Sequence, residues 1–279
     1  LDSHGVGSGR TPCMVGRPRR GANGGRPASA PATPRGPRGA ASGALTRQYG
    51  SPDNLFVQSL LGGFTVAGLY AVNFLVVVTT VLMAVGSISQ EVSSDTIHAI
   101  AAKPLRRWEI FLGKWLGHAI MLAGYVILLF GGILLVVYVV SGSYVPPAPL
   151  QGLALMLLEG LVMLSVTLLG STVLSTLANG VVVFMLYGLA FLGGWAEQFG
   201  AMLQSQTAVD LGILSSLLLP TEALWRRAAY AMQTSLTRSF GASPFGASSV
   251  PSDAFILYAA LYTLAVLGLA VWAFSRRDF

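Results

Sequence analysis

Two polar side chains interrupt otherwise apolar stretches of this sequence and could do chemistry there. Glu159 lies in the run LALMLLEGLVML, and Asn73 lies in the run AVNFLVVV. An ionisable group in such surroundings is costly to bury, so Glu159 is a functional candidate by default. An amide such as Asn73 more often bonds to a neighbouring helix than to a ligand. We therefore treat Glu159 and Asn73 as a possible polar pathway, with a purely structural role as the alternative.

The residues that could bind a metal do not form a recognisable site. His98, His118 and several methionines suggest copper, but no histidine pair or methionine group has ligand spacing within one helix. Methionine is a common filler of irregular gaps in protein cores. Cys13 is the single cysteine, which excludes an internal disulfide and a cysteine cluster. We predict packing roles for these residues, and no metal site.

The sequence also does not predict an active site. Glu159 has no acid or histidine three or four residues further along its helix. Gly113 and Lys114 resemble part of a phosphate-binding loop, but the upstream glycine and the following hydroxyl residue are absent. We predict no catalytic residue and no cofactor bound by this chain.

The composition is that of a membrane protein. Charged residues make up 10% of the chain and hydrophobic residues 53%, whereas soluble domains carry about 25% charged residues. The net charge of +6 does not indicate nucleic-acid binding, because eight arginines lie in the first fifty residues, beside a single aromatic, Tyr49.

Five apolar runs are long enough to cross a bilayer, which takes roughly 20 helical residues. They cover approximately residues 64–86, 110–140, 150–177, 181–194 and 254–274. Prolines after residue 144 should end the second run, and Ala178, Asn179 and Gly180 should make a tight turn between the third and fourth. The sequence thus predicts an all-α, polytopic membrane helical bundle.

Residues 1–52 differ from the rest of the chain and are rich in Gly, Pro, Ala and Arg. Such a segment cannot bury enough apolar surface to fold, so we predict a disordered tail. Five spans would place its arginines outside the cell. A sixth span upstream of Asp53 would remove that conflict, so we expect an N-terminally truncated chain or a wrongly joined frame, with an ordinary disordered extension as the alternative.

Positive charge in short loops predicts the orientation of the membrane domain, residues 53–279. The basic residues that flank the spans are Lys103, Arg106, Arg107, Lys114, Arg276 and Arg277. All of them lie on one side after five spans, which we predict to be the cytoplasm. Residues 196–252 should then be extracytoplasmic. Within them Thr221 should cap a short amphipathic helix, whose aromatic residues Trp225 and Tyr230 favour the headgroup level.

The cytoplasmic segment 88–109 has the features of a rigid elbow. Residues 90–102 can form a short helix, Pro104 ends it, and the next helix begins near Arg106. Two short helices bent at a proline would transmit a displacement that a flexible loop would absorb. The basic residues here also have a simpler interpretation, as anchors beside lipid phosphates.

The elbow resembles that of ABC-2-type transporter permeases, on the branch that includes nitrous-oxide-reductase maturation permeases. The residues that carry the resemblance are Glu91, Asp95-Thr96-Ile97, Lys103 to Glu109 and Leu112 to Gly117. Leu219 to Arg226 and the closing Arg-Arg-Asp-Phe are also similar to that branch. Asp95 departs from the family pattern, which has glycine there.

The resemblance implies a prokaryotic plasma-membrane permease subunit that acts as an exporter. Its partners would be a cytoplasmic ATP-binding-cassette subunit that holds ATP and Mg²⁺, and a second permease subunit, identical or different, in the lipid bilayer. Coupling to the ATPase subunit would fall on Glu91, Thr96, Lys103, Pro104, Arg106, Arg107, Glu109, Gly113 and Lys114. The substrate stays open.

Two other classes remain as alternatives. An intramembrane hydrolase needs acids, histidines or a nucleophile that face one another within the bilayer. An ion-driven secondary transporter commonly shows inverted repeats with broken helices.

Overall fold

The computed structural model describes residues 52–87, 106–142, 144–234 and 250–276. These residues form helices and short connections, with no strand among them. The predicted all-α membrane bundle is confirmed. The predictions for residues 1–51 and for elbow residues 88–105 concern parts of the chain outside this description.

Five of the described helices are long and apolar enough to cross a membrane, as predicted. They are α1 (Pro52–Ala84), α2 (Arg107–Ser141), α3 (Pro149–Val173), α4 (Thr176–Met202) and α7 (Asp253–Ser275). Helix α2 starts with a capping interaction, in which the backbone N–H of Arg106 donates to the Glu109 carboxylate at 3.2 Å. It ends at Gly142, whose φ of 79° favours glycine, rather than at the prolines further on.

The predicted turn at residues 178–180 is wrong. The chain breaks between α3 and α4 at Leu174 and Ser175, and both residues have extended backbone. Asn179 and Gly180 lie inside α4 instead. A polar Asn-Gly pair favours a turn in isolation, but here the buried Asn179 amide bonds to two other helices, which stabilises its place in α4.

Two further helices follow α4 and form a bent pair. They are α5 (Gln206–Leu218) and α6 (Thr221–Met232), with a bend of 103° between them. The prediction that α6 lies at the membrane interface is wrong, because Trp225 and most of the helix are buried in the protein. Pro220, not Thr221, occupies the N-cap position.

The helix contacts show that the bent pair begins and ends at the same end of the bundle. Helix α5 runs back along α4, since Ala208 lies against Gly200 and Ser215 lies against Gly193. Helix α6 then returns along α3 until Met232 lies against Gly152. Because the start of α3 and the end of α4 are at the same end, α5 and α6 form a re-entrant hairpin.

We call that end of the bundle the hairpin end, and the opposite end the elbow end. At the elbow end, Phe111 of α2 packs on Phe274 of α7 with ring centroids 5.7 Å apart. Helix α3 is central and contacts α1, α2, α4, α6 and α7. Hydroxyl side chains within the spans, such as Thr80 and Thr167, donate to the carbonyl four residues back, so their polarity is satisfied locally.

Candidate functional site

The two polar candidates of the apolar stretches meet in the centre of the bundle. Asn73 on α1 and Glu159 on α3 are 3% and 1% exposed. Nδ2 of Asn73 donates a hydrogen bond to Oε1 of Glu159 at 3.0 Å. The partner of Glu159 therefore comes from another helix, 86 residues away, where spacing within α3 could not reveal it.

This pair has spare hydrogen-bonding capacity. Oε2 of Glu159 and Oδ1 of Asn73 are buried and have no hydrogen-bond partner among the described residues. Buried polar groups are normally paired, and an unpaired acceptor costs free energy. These two acceptor atoms could accept a hydrogen bond from a ligand or bind a cation.

Aromatic rings from three helices pack close to one another near this pair. Tyr70 of α1 packs edge-on against Trp225 of α6, with ring centroids 5.3 Å apart. Tyr187 and Phe191 of α4 continue the group, and Phe191 lies 6.4 Å from Tyr70. The indole N–H of Trp195 donates to the Tyr70 hydroxyl at 3.5 Å.

A buried ion pair holds the re-entrant hairpin against α4. Nη2 of Arg226 on α6 donates to Oε2 of Glu197 on α4 at 2.6 Å and contacts the Ser216 hydroxyl of α5 at 3.5 Å. The two charged side chains are 5% and 9% exposed. Burying such a pair costs free energy, but breaking it would leave an unpaired buried charge. The pair therefore holds α4, α5 and α6 in one arrangement.

At the elbow end, α2 is tied to the end of α1. The Lys114 ammonium donates to the backbone carbonyl of Ser87 at 2.8 Å. This carbonyl follows the last turn of α1, where carbonyls lack partners within the helix. The start of α2 and the end of α1 are therefore linked directly beside the segment 88–105.

Asn179 makes a second link at the same end. Its Nδ2 donates to the carbonyl of Thr167 in α3 at 3.0 Å and to that of Val85, after α1, at 3.3 Å. Gly170 leaves room for this amide, because a Cβ there would overlap Asn179 Oδ1. Helices α1, α3 and α4 thus converge on one buried side chain.

The structure describes only some of the predicted coupling residues. Arg106 and Glu109 are exposed at the start of α2, and Gly113 has open space on its Cβ side. Glu91, Thr96, Lys103, Pro104 and the side chain of Arg107 lie outside the described part. His118 contacts the carbonyl oxygen of Lys114 through Nδ1 at 2.8 Å.

A comparison with known families identifies the bundle. The ABC-2 family transporter protein family matches residues 27–279. The chain belongs to this family. The match includes residues 27–52, the final part of the predicted disordered tail. No curated protein matches the chain.

Membership of the ABC-2 family indicates a permease subunit of an ABC transporter and a multi-pass membrane protein. Permeases of this family associate with an ATP-binding subunit and are generally not catalytic themselves.

Sequence reasoning missed three residues of this ABC-2 permease that the structure places at helix contacts. Glu197 was missed because the fourth span was predicted to end at Gly194, whereas α4 continues to Met202. Arg226 was assigned to an external segment, although it is buried. Asn179 was assigned to a turn. A signal was available for Glu197, as a lone acid directly after an apolar run.

Proposed function

We propose that this ABC-2 permease couples ATP hydrolysis on a cytoplasmic partner subunit to export of a substrate through the elbow at residues 88–109. Family membership supports the partner. The observation that carries the coupling route is the bond from Lys114 to Ser87, because it joins the helices on both sides of the elbow. A push on the elbow would move α1 and α2 together.

The exposed start of α2 suits contact with the partner. Arg106, Trp108 and Glu109 all face away from the bundle. The capping interaction between Arg106 and Glu109 stabilises the first turn, which suits transmission of a displacement. Glu91, Thr96, Lys103, Pro104, Arg107 and Gly113 complete the proposed coupling surface.

The pathway for the substrate would pass Glu159 and Asn73. These residues combine deep burial with unpaired acceptors at the centre of the bundle. Groups of this kind inside a membrane domain mark pathways more often than lipid-facing surfaces.

The remaining parts of the proposal follow from the sequence. Basic residues at the elbow end favour a cytoplasmic location for that end, and ATP and Mg²⁺ would bind to the partner. A second permease subunit, a prokaryotic plasma membrane and a relation to nitrous-oxide-reductase maturation permeases complete it. The described contacts do not favour an intramembrane hydrolase, since the partner of Glu159 is an amide rather than a second acid or a histidine. Membership of the ABC-2 family speaks against an ion-driven secondary transporter.

Lys114→Gln tests the coupling route. The variant keeps a long polar side chain but removes the charge that bonds to the Ser87 carbonyl. We expect ATPase activity of the complex, purified with its ATP-binding subunit in mild detergent, to persist. Transport into inside-out vesicles should fall severalfold, because hydrolysis is no longer transmitted to α1.

Arg276→Gln is a matched control at the same end of the bundle. Arg276 lies over the Trp272 ring and is not part of the elbow segment. The substitution should change the amount of substrate transported per ATP hydrolysed by less than twofold. Equal transport per ATP in Lys114→Gln and the parent would remove Lys114 from the route, and failure to recover any ATP-binding subunit would contradict the proposed function itself.

A further inference from the structure

The site formed by Asn73 and Glu159 has the chemistry of a receptor for positive charge. Asn73 uses its amide N–H to bond to one carboxylate oxygen of Glu159 at 3.0 Å. The second carboxylate oxygen and the Asn73 carbonyl oxygen have no described partner, although both are buried. When Glu159 is ionised, all the vacant capacity is acceptor capacity, which an anion or an apolar group cannot use.

The charges buried around the site also favour a cation. Four charged side chains are buried among the described residues, namely Glu159, Glu197, Glu222 and Arg226. One guanidinium nitrogen of Arg226 bonds to Glu197 at 2.6 Å, so these three buried acids share a single buried cation.

The surrounding rings determine the class of cation. Tyr70 lies three residues before Asn73 on α1, and its ring packs on that of Trp225 at 5.3 Å. Phe191 links the rings of Tyr70 and Tyr187, with ring centroids 6.4 and 6.5 Å away. Aromatic faces attract ammonium and related organic cations and also cover their apolar substituents. Divalent metal ions instead take six or more oxygen ligands, many more than the two vacant oxygens found here.

We propose that Glu159 and Asn73 bind the charged group of a lipophilic organic cation, with Tyr70 and Tyr187 against its apolar substituents. The inference rests on the proposed function, because it names the substrate class of that pathway. A neutral, protonated Glu159 with a structural role is the competing outcome.

Tetraphenylphosphonium and tetraphenylborate provide a direct test, because they share a shape and differ in the sign of their charge. We expect saturable binding of radiolabelled tetraphenylphosphonium to the purified complex, and no competition from tetraphenylborate. Glu159→Gln should weaken the binding at least tenfold. Asp210→Asn, the same chemical change on α5 at an exposed acid, should leave it within twofold.

A second pair of variants keeps the test decisive if Glu159→Gln misfolds. Tyr187→Phe retains the ring and should bind the probe within twofold of the parent. Tyr187→Leu removes the ring and should bind it severalfold more weakly. Equal binding by both Tyr187 variants, or unchanged binding by folded Glu159→Gln, would overturn the inference.

The two proposals fail in different experiments. Probe binding is measured without ATP and does not depend on the elbow. A complex that binds the phosphonium but shows no ATP-dependent transport would contradict the proposed function alone. A complex that couples ATP hydrolysis to transport but does not bind the phosphonium would contradict the substrate class alone.

Discussion

Buried polar side chains of this permease find partners on distant helices. Asn73 bonds to Glu159, Asn179 bonds to carbonyls near the ends of α1 and α3, and Arg226 bonds to Glu197. Lipid offers no alternative partner to such groups, so each one favours a specific helix arrangement. The individual bonds contribute about 1 kcal/mol in membrane bundles, whereas an unpaired buried charge costs several times more.

The ion pair of Glu197 and Arg226 gives a prediction at the residue scale. Arg226→Met leaves the Glu197 carboxylate buried without its guanidinium partner. We expect about 3–5 kcal/mol of destabilisation, measured by denaturant unfolding of the protein in detergent. Replacing both residues, as Glu197→Leu with Arg226→Met, should recover most of that loss.

The neighbouring arginine provides the matched control. Arg227 pairs with Asp253, whose side chain is 81% exposed, so solvent screens this interaction. Arg227→Met should change the free energy of unfolding by no more than about 1 kcal/mol. Similar losses for Arg226→Met and Arg227→Met would show that the buried pair has no special role.

At the scale of elements, glycines allow α4 and α5 to approach closely. Gly193, Gly200 and Gly212 each lie where a Cβ would overlap the opposite helix. At Gly212 the nearest atoms include the Gly193 carbonyl oxygen at 2.6 Å and Glu197 Cα at 2.9 Å from the Cβ position. Backbone atoms cannot move aside as a flexible side chain does, so this contact requires glycine.

Gly212→Ala should therefore push α5 away from α4. We expect a loss of about 1–3 kcal/mol, typical of overpacking, seen as a lower midpoint of unfolding in detergent. Gly188→Ala is the control, because nothing lies within 4 Å of its Cβ position. It should leave the midpoint unchanged or raise it, and equal losses in both variants would contradict the close approach.

At the scale of the whole molecule, the re-entrant hairpin determines the topology. Residues 203–205 precede α5 and residues 233–234 follow α6, and a hairpin leaves both flanks on one side of the membrane. Tyr258 and Tyr262 of α7 donate to the carbonyls of Leu217 and Leu218 at 2.5 and 2.9 Å. These bonds satisfy backbone groups at the break between α5 and α6, which the bilayer could not do.

Single cysteines can test this topology in intact cells. In a Cys13→Ser background, Leu203→Cys and Ser252→Cys should both react with a thiol reagent that cannot cross the membrane. Ser275→Cys, at the elbow end, should react only after the cells are opened. Opposite accessibility of positions 203 and 252 would show that the bent pair crosses the membrane.

Most of the architecture could be predicted, because a long apolar run in a bilayer typically forms a helix that spans it. The five spans were recognised within a few residues at most ends, and Glu159 and Asn73 were identified as polar candidates. The errors lie where polarity is satisfied by contacts far apart in the chain. Asn179 looked like a turn residue and α6 like a surface helix, because their partners are on other helices.

The sequence by itself determined that this chain is a helical membrane protein, and its elbow motif indicated an ABC-2 permease. Hydrophobic length and charge bias act locally, so both can be read along the chain. The tertiary structure alone decided that Glu159 meets Asn73, that Arg226 is buried against Glu197, and that α5 and α6 turn back within the bundle. Those features depend on which helices become neighbours, and helix packing is settled by contacts between residues distant in sequence.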